Sequence, residues 1–275
     1  MKMLVINADD FGADEGTNAA IIRTHTQGVL TTTSLMVNEP AAQAAVELAR
    51  ENPSLGVGLH VAVSNGFSAL SSPTISPTGR FNDDPAASGF RYFFSRKARV
   101  EVGNEVREQF SRFSATGLPW SHVDGHQHLH MHPIVWDSVI RECEAHGIRR
   151  IRIPYEEWRP YSPGRKAGRR IEWLFFRALR RRCLRSLAGR GFTVMDRVYG
   201  HLETGSMTSE YVLQLLSKIE GRTNEVYFHP GTRHARQLEG GNGLDVEEHA
   251  LMDARVKERI ESLGLCLTTF AGTEA

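Results

Sequence analysis

Short runs of β-forming residues alternate with helical patterns along the whole chain. The predicted strands are residues 3–6, 32–37, 57–61, 122–123, 151–153, 193–195, 225–228 and 265–270. The predicted helices are residues 16–26, 41–51, 100–115, 133–146, 171–188, 209–219 and 246–262. Such alternation indicates a parallel sheet. Because there are seven or eight strand-helix units, we expect an α/β fold with an irregular, TIM-barrel-like (β/α) barrel, in one domain over residues 1–275, rather than a doubly wound open sheet.

Two long stretches interrupt this alternation, residues 64–98 and 155–168. Long irregular segments inside a compact domain are often lids or binding loops. We therefore expect both stretches to border a functional site.

Composition narrows the classes of partner and compartment. The formal net charge of +1 gives no general attraction to nucleic acid. No stretch approaches the roughly 20 apolar residues of a membrane span, and the apolar start of the chain is too short for a signal peptide. The cysteines, Cys143, Cys183 and Cys266, are far apart and lack CxxC spacing, which suits a reducing compartment. These features predict a cytoplasmic protein and leave its oligomeric state open.

Polar residues follow several of the predicted strands at their carboxyl ends. Asp9 and Asp10 follow the first strand, and His60, His126 and His229 follow later ones. Taken singly, an aspartate here could cap the next helix, and a lone histidine is usually structural. In a (β/α) barrel, however, the carboxyl ends of the strands converge on the active site, so we expect these side chains to lie together.

A histidine-rich run is the most specific local signal. It contains His122, His126, His128, His130 and His132. Their spacing of two would place alternate side chains on one face of an extended segment. A catalytic divalent site usually takes about three protein ligands, and His126 is our choice because it directly follows a strand. His128 and His130 are then candidates for substrate binding or for orienting the ligands; incidental metal affinity is the alternative.

The sequence leaves the identity of the metal ion open. A carboxylate with two imidazoles suits zinc or another first-row divalent ion, whereas magnesium prefers more oxygen ligands. We expect one divalent ion, zinc or magnesium. Pro133, which fits the first turn of a helix, places His132 at the edge of the histidine-rich run.

The motifs together resemble those of the YdjC-type carbohydrate deacetylases, which include chitooligosaccharide deacetylases. The likeness spans most of the chain and rests on Asn7-Ala8-Asp9-Asp10-Phe11-Gly12, Gly58-Leu59-His60, Asp124-Gly125-His126-Gln127-His128-Leu129-His130-Met131-His132-Pro133 and His229-Pro230. It implies an irregular (β/α) barrel and removal of an acetyl group from an N-acetylated sugar. It also implies that Asp10, His60 and His126 bind the metal, that Asp9 is the general base and that His229 is the general acid.

A finer likeness is to the hopanoid-biosynthesis-associated branch of the family. It rests on Arg91-Tyr92-Phe93-Phe94, Leu202-Glu203-Thr204-Gly205 and Tyr227-Phe228-His229-Pro230-Gly231-Thr232. It implies an N-acetylglucosamine-type sugar on a hopanoid glycolipid. The alternatives are a deacetylase of soluble chitooligosaccharides, a hydrolase of another amide or ester, and a catalytically silent metal- or sugar-binding protein. A protein that only binds has no need of Asp9 and His229 as well as the ligands.

Two basic features complete the sequence predictions. Arg152, on the predicted strand 151–153, is expected to pair with Asp9, the alternative being an ordinary surface arginine. Residues 165–190 hold ten Lys or Arg residues and one acid, Glu172, interleaved with apolar residues. This pattern predicts a basic amphipathic helix, either an outer helix of the barrel with solvated arginines or a peripheral contact with an anionic membrane at the inner face. Without a binding motif, we expect no nucleic-acid partner.

Overall fold

The computed structural model describes residues 1–158, 167–231 and 245–274, except for the side chains of residues 167–169 and 274. The strands are β1 Lys2–Phe11, β2 Thr32–Leu35, β3 Gly56–Val61, β4 Val123–Gly125, β5 Arg197–Tyr199, β6 Thr223–Phe228 and β7 Leu265–Leu267. The α-helices are α1 Glu15–Gln27, α2 Ala42–Glu51, α3 Pro85–Phe94, α4 Arg96–Ala115, α5 Pro133–Ala145, α6 Ala167–Leu187, α7 Ser209–Leu216, α8 Val246–Met252 and α9 Ala254–Ser262.

The strands form one curled parallel sheet around β1. Its order is β4-β3-β2-β1-β6-β5, and β7 pairs with the first residues of β1. Eight of the ten residues of β1 are buried, as expected for a parallel strand covered on both faces. The fold is therefore α/β with a sheet of half-barrel form.

The closed TIM-like barrel that the sequence predicted is not shown. Among the described residues, no strand joins β4 to β5, and residues 151–153 and 193–195 contribute only isolated bridges, Val123 with Ile151 and Arg150 with Thr193. The edge strand β5 covers residues 197–199, four residues later than the predicted strand 193–195. These edge segments are short, so alternation of apolar residues could not locate them.

Two predictions about helical segments need correction, and a third helix is present as predicted. The stretch 64–98, expected to be irregular, contains α3, which begins after the N-cap Asp84 with Pro85 in its first turn. The single helix predicted over 246–262 is two helices, because Asp253 caps α9 through the backbone N–H of Arg255. The basic helix α6 is present, although residues 165 and 166 of the predicted basic segment and part of 155–168 lie outside the described residues.

Polar caps fix where the helices near the sheet begin. Asp14 accepts the backbone N–H of Thr17 at 2.9 Å and caps α1, so the cap is neither Asp9 nor Asp10. Pro133 begins α5, as the sequence predicted, and the side chain of His132 caps it. Of the helices in the described residues, none has the length and apolar character needed to cross a membrane.

Candidate metal-dependent active site

The carboxyl end of β1 carries the two adjacent aspartates. Pairing between β1 and β2 is irregular between Ala8 and Phe11, and Asp10 has a φ of 67°. A left-handed conformation at a non-glycine residue stores strain and occurs often at functional sites. Both carboxylates are buried, Asp9 at 2% and Asp10 at 1% exposure. The irregularity lets consecutive side chains serve different partners.

Asp10 lies between two imidazoles from neighbouring elements. Its Oδ1 is 3.0 Å from Nδ1 of His126 and 3.4 Å from Nε2 of His60. One ligand atom from each of these residues lies within 4.8 Å of the others. The buried Nε2 atoms of both histidines have no hydrogen-bond partner, which is unfavourable unless another group satisfies them. A divalent cation fits these donors.

A second group, Asp9, His60 and Asp124, also has the spacing of a metal site. Its aspartates, however, already bind the guanidinium of Arg152, with Nη1 2.7 Å from Asp9 Oδ2 and 2.8 Å from Asp124 Oδ2. Asp124 Oδ1 also lies 2.8 Å from Nδ1 of His60. That contact directs Nε2 of His60 toward Asp10, as a carboxylate does behind a metal-binding histidine. The geometry favours Asp10, His60 and His126 as the ligands.

The buried charges of the site are mainly negative. Burial disfavours the charged form of His60, but the carboxylates of Asp124, Asp9 and Asp10 outweigh it and raise the pKa of His60 to about 9. Burial likewise opposes ionisation of Asp124, yet Arg152 and His60 hold its pKa well below the usual range. An imidazole that holds a proton so firmly reports a strongly negative potential. The same potential attracts a metal cation.

Arg152 is fully buried and holds three carboxylates. Besides Asp9 and Asp124, it binds Glu225 on β6, whose Oε1 lies 2.7 Å from Nε and 2.6 Å from Nη2. Burial raises the pKa of Glu225 to about 7, against the opposing effect of Arg152. Arg152 is thus no surface arginine, and its guanidinium fixes Asp9 in place.

His229 faces Asp9 from the end of β6. Its Nε2 lies 3.8 Å from Asp9 Oδ2, beyond direct hydrogen-bond distance. The backbone N–H of His229 donates to Oε2 of Glu247 on α8 at 2.5 Å. The side chains of Asp9 and His229 line the same cavity. There is room for a reacting group to contact Asp9 and His229 together.

The histidine-rich run is not extended, contrary to the spacing-of-two prediction. Residues His126–Met131 form a 3-10 helix, and Gln127 and His128 have positive φ values of 52° and 56°. A Cβ at Gly125 would lie 2.7 Å from Cβ of His130, a distance that real side chains do not adopt, so the tight turn after β4 needs glycine. The turn sends successive histidines to different places.

His128 and His130 have separate surroundings. His128 borders the cavity, and its Nε2 lies 2.9 Å from the hydroxyl of Tyr227. His130 is buried, with Nε2 3.0 Å from the backbone oxygen of Arg152. Burial lowers the pKa of His130 to about 4, and burial together with His201 and His130 lowers that of His128 well below the usual value. The low pKa values favour the neutral form of both imidazoles; the side chain of His128 borders the cavity, and that of His130 lies buried outside it.

A cavity of about 910 Å³ leads to these groups. Its inner part is polar and is lined by Asp9, His126, His128, His201, Tyr227 and His229. Its outer part is apolar and is lined by Phe90, Phe93, Leu129, Phe175, Phe176 and Leu179. The cavity thus combines a polar end with an apolar wall between α3 and α6.

The family model described as YdjC-like protein matches residues 3–262. The chain belongs to the YdjC-like family. A carbohydrate deacetylase of Brevibacillus brevis is 30% identical over 98% of both chains, and a chitooligosaccharide deacetylase of Serratia marcescens is 33% identical over 57% of this chain and 61% of its own. A crystal structure from Enterococcus faecalis V583, of a protein named for cellobiose-phosphate cleavage, has a TM-score of 0.71 at 23% identity, covering 98% of both chains. That likeness shows the fold.

Sequence reasoning missed several polar residues of this YdjC-like site. They are Asn7, Ser34, Asp124, His201, Glu225 and Tyr227. Ser34 donates to Asp124 Oδ2 at 2.7 Å, and Asn7 donates to Asp9 Oδ1 at 2.8 Å. A usable signal existed for Asp124, which precedes His126 by two residues at the end of a strand. Ser34 and Asn7 lie inside buried strands, where a small polar residue carries no distinct pattern.

Proposed function

We propose that this chain is a metal-dependent carbohydrate N-deacetylase that hydrolyses the acetamide of an N-acetylglucosamine-type sugar. The proposal rests on the cluster of Asp10, His60 and His126, in which the buried Nε2 atoms of both histidines have no hydrogen-bond partner. Asp9 and His229 lie beside this cluster and face each other. The named carbohydrate deacetylases among its relatives support the reaction class.

The metal ligands in this proposal are Asp10, His60 and His126. A divalent ion bound there supplies Lewis-acid chemistry, which acidifies water and polarises a carbonyl. Asp124 orients His60 through its Nδ1 contact. The mixed oxygen and nitrogen donors suit zinc or another first-row ion, with magnesium as the less favoured alternative.

Asp9 is the proposed general base. Its carboxylate accepts hydrogen bonds from Asn7 and Arg152, so its orientation is fixed before substrate enters. It borders the cavity beside the ligand Asp10. From this position Asp9 takes the proton of the attacking water, a role that typically contributes about 10²–10⁴-fold to rate.

His229 is the proposed general acid. As the C–N bond breaks, the leaving amine needs a proton, and an imidazole titrates near neutral pH. Glu247 holds the backbone of His229, so α8 sets the position of this side chain. The side chains of Asp9 and His229 line the same cavity, so Asp9 can take a proton from the attacking water while His229 protonates the leaving amine of the same acetamide.

For the substrate, we propose a glycolipid, and specifically the hopanoid glycolipid that the finer family likeness implies. The polar end of the cavity would hold the sugar and the apolar wall its lipid. A soluble chitooligosaccharide would leave Phe90, Phe93 and Phe175 in contact with water. The apolar wall therefore favours the glycolipid over the soluble alternative.

The test is acetate release by purified protein after chelation and metal addition, from matched N-acetylglucosaminides with and without a long apolar aglycone. We expect no activity after chelation, recovery with a divalent metal, and a higher kcat/KM with the apolar aglycone. Metal binding without acetate release from any N-acetylated sugar would indicate the silent binding protein. Faster turnover of chitooligosaccharides would overturn the glycolipid assignment and leave the deacetylase in place.

A further inference from the structure

Exposed apolar side chains surround the opening of the cavity on two helices. On α3, Phe90 is 68% and Phe94 is 66% exposed. On α6, Ile171 is 72%, Leu174 51% and Phe175 59% exposed. Phe90 and Phe175 also line the cavity, so both helices border one opening. We call these five residues the apolar rim. Large apolar groups concentrated at one place on a surface mark an interaction site.

The exposed face of α6 is amphipathic along its length. Ile171, Leu174, Ala178, Arg181 and Arg185 recur at three- to four-residue spacing and are all exposed, so they share one side of the helix. A separate set packs inward against the core: Phe176, Leu179, Cys183, Leu184 and Leu187. An outer helix that merely buries its apolar stripe explains the inward set. It does not explain the apolar residues on the outward face.

Basic residues flank the apolar rim on α3, on the first turn of α4 and on α6. Between residues 85 and 100 the chain has Arg91, Arg96, Lys97 and Arg99 and no acid. On α6, Arg170, Arg177, Arg181 and Arg185 are exposed, and Glu172 is the one acid in the helix. Apolar side chains beside Lys and Arg are typical of segments that lie in the interface of an anionic membrane.

We propose that the apolar rim and its flanking basic residues dock on an anionic lipid bilayer, with the cavity opening toward the lipid. The rim side chains enter the interface and the arginines pair with lipid phosphates. The inference goes beyond the deacetylase assignment, since vesicle binding needs neither metal nor turnover. It gives a membrane-resident substrate a path from the bilayer into the cavity.

The test is co-sedimentation of the full-length protein with vesicles of phosphatidylcholine alone or mixed with phosphatidylglycerol, at low and high salt. We expect binding to the mixed vesicles only, and release by salt, which screens the arginines. The triple variant Arg177→Glu, Arg181→Glu, Arg185→Glu should bind at least about tenfold more weakly. The variant Phe94→Gln, Ile171→Gln, Leu174→Gln should also lose binding, because it removes apolar side chains that enter the membrane interface. These three residues are exposed and do not line the cavity.

Two control variants test whether vesicle binding depends on the apolar rim and its basic residues, or only on the total charge and exposed apolar area of the protein. The variant Arg141→Glu, Lys257→Glu, Arg259→Glu makes the same charge change on α5 and α9. The variant Leu263→Gln, Leu267→Gln removes exposed apolar residues at the end of α9 and on β7. Both controls should bind like the wild type. Equal loss in the controls, or no binding of the wild-type protein to anionic vesicles, would overturn the proposal. So would a lipid-free dimer that only the rim variant dissociates, because the rim would then bind a second copy of the chain.

Discussion

Arg152 has no exposure to solvent and binds the carboxylates of Asp9, Asp124 and Glu225. Removing one partner of a buried ionic cluster typically costs about 3–5 kcal/mol, because the remaining charges stay buried without compensation. We expect Arg152→Met to lower the free energy of unfolding by about that amount, measured by urea denaturation. Arg152→Lys should recover only part of it, since an ammonium cannot reproduce the forked contacts of a guanidinium. A methionine variant as stable as the wild type would contradict this account of the cluster.

Asp9 and Asp10 are adjacent but have separate proposed roles. Asparagine at position 9 can still hydrogen-bond with Arg152, but it cannot take a proton from water. For Asp9→Asn we therefore expect a folded, metal-loaded protein whose kcat falls on the order of a hundredfold or more. Elemental analysis checks that the variant keeps its metal, and acetate release checks that its kcat falls. If the variant loses its metal, the two aspartates have been assigned in the wrong order.

At the scale of elements, the first turn of α8 holds the segment that follows β6. Asp245 accepts the backbone N–H of Glu247 at 2.7 Å and of Glu248 at 3.0 Å, and it also accepts the backbone N–H of Gly231. Glu247 accepts the backbone N–H groups of His229 and Met207. The position of His229 thus depends on a buried carboxylate in another element.

Burial raises the pKa of Glu247 to about 7 from an ordinary value of 4.5. A carboxyl whose pKa is higher when folded stabilises the protein below its unfolded pKa and loses that contribution as pH rises through its folded pKa. Relative to Glu247→Gln, the wild type should lose on the order of 3 kcal/mol of unfolding free energy between about pH 4.5 and 8. Parallel stability profiles for the two proteins, from urea titrations across this range, would show that Glu247 does not titrate this way.

Some helix and strand boundaries could be predicted from the sequence, and others could not. The proline signal located the start of α5 correctly, because the fit of Pro133 to the first turn of a helix is a local property. The short edge segments were misplaced, because their pairing depends on partners far along the chain, such as Tyr155 with Val198. The kinked turn after β4 was also missed, since the close approach of Gly125 to His130 is a tertiary constraint.

For the whole molecule, the order of polar residues along the chain anticipated which side chains meet. Asp9, Asp10, His60, His126, Arg152 and His229 come from separate parts of the sequence and meet at the carboxyl ends of the strands. Parallel strands bring those ends to one edge, so strand-end residues could be predicted to converge. Asp124 could have been found in this way, since it lies at a strand end two residues before His126. The supporting charge of Glu225 could not, because its role depends on a buried arginine whose partners only the fold reveals.

In the proposed function, deacetylation requires one divalent metal bound by Asp10, His60 and His126. The test is metal content and acetate release, both measured on the same purified samples of Asp10→Asn, His60→Ala, His126→Ala and a control. The control is His146→Ala, which changes an exposed histidine at the C-terminal end of α5. We predict that each ligand variant loses bound metal and activity together, because each removes one of about three protein ligands. The control should keep both. Normal metal content in all three ligand variants would contradict the account.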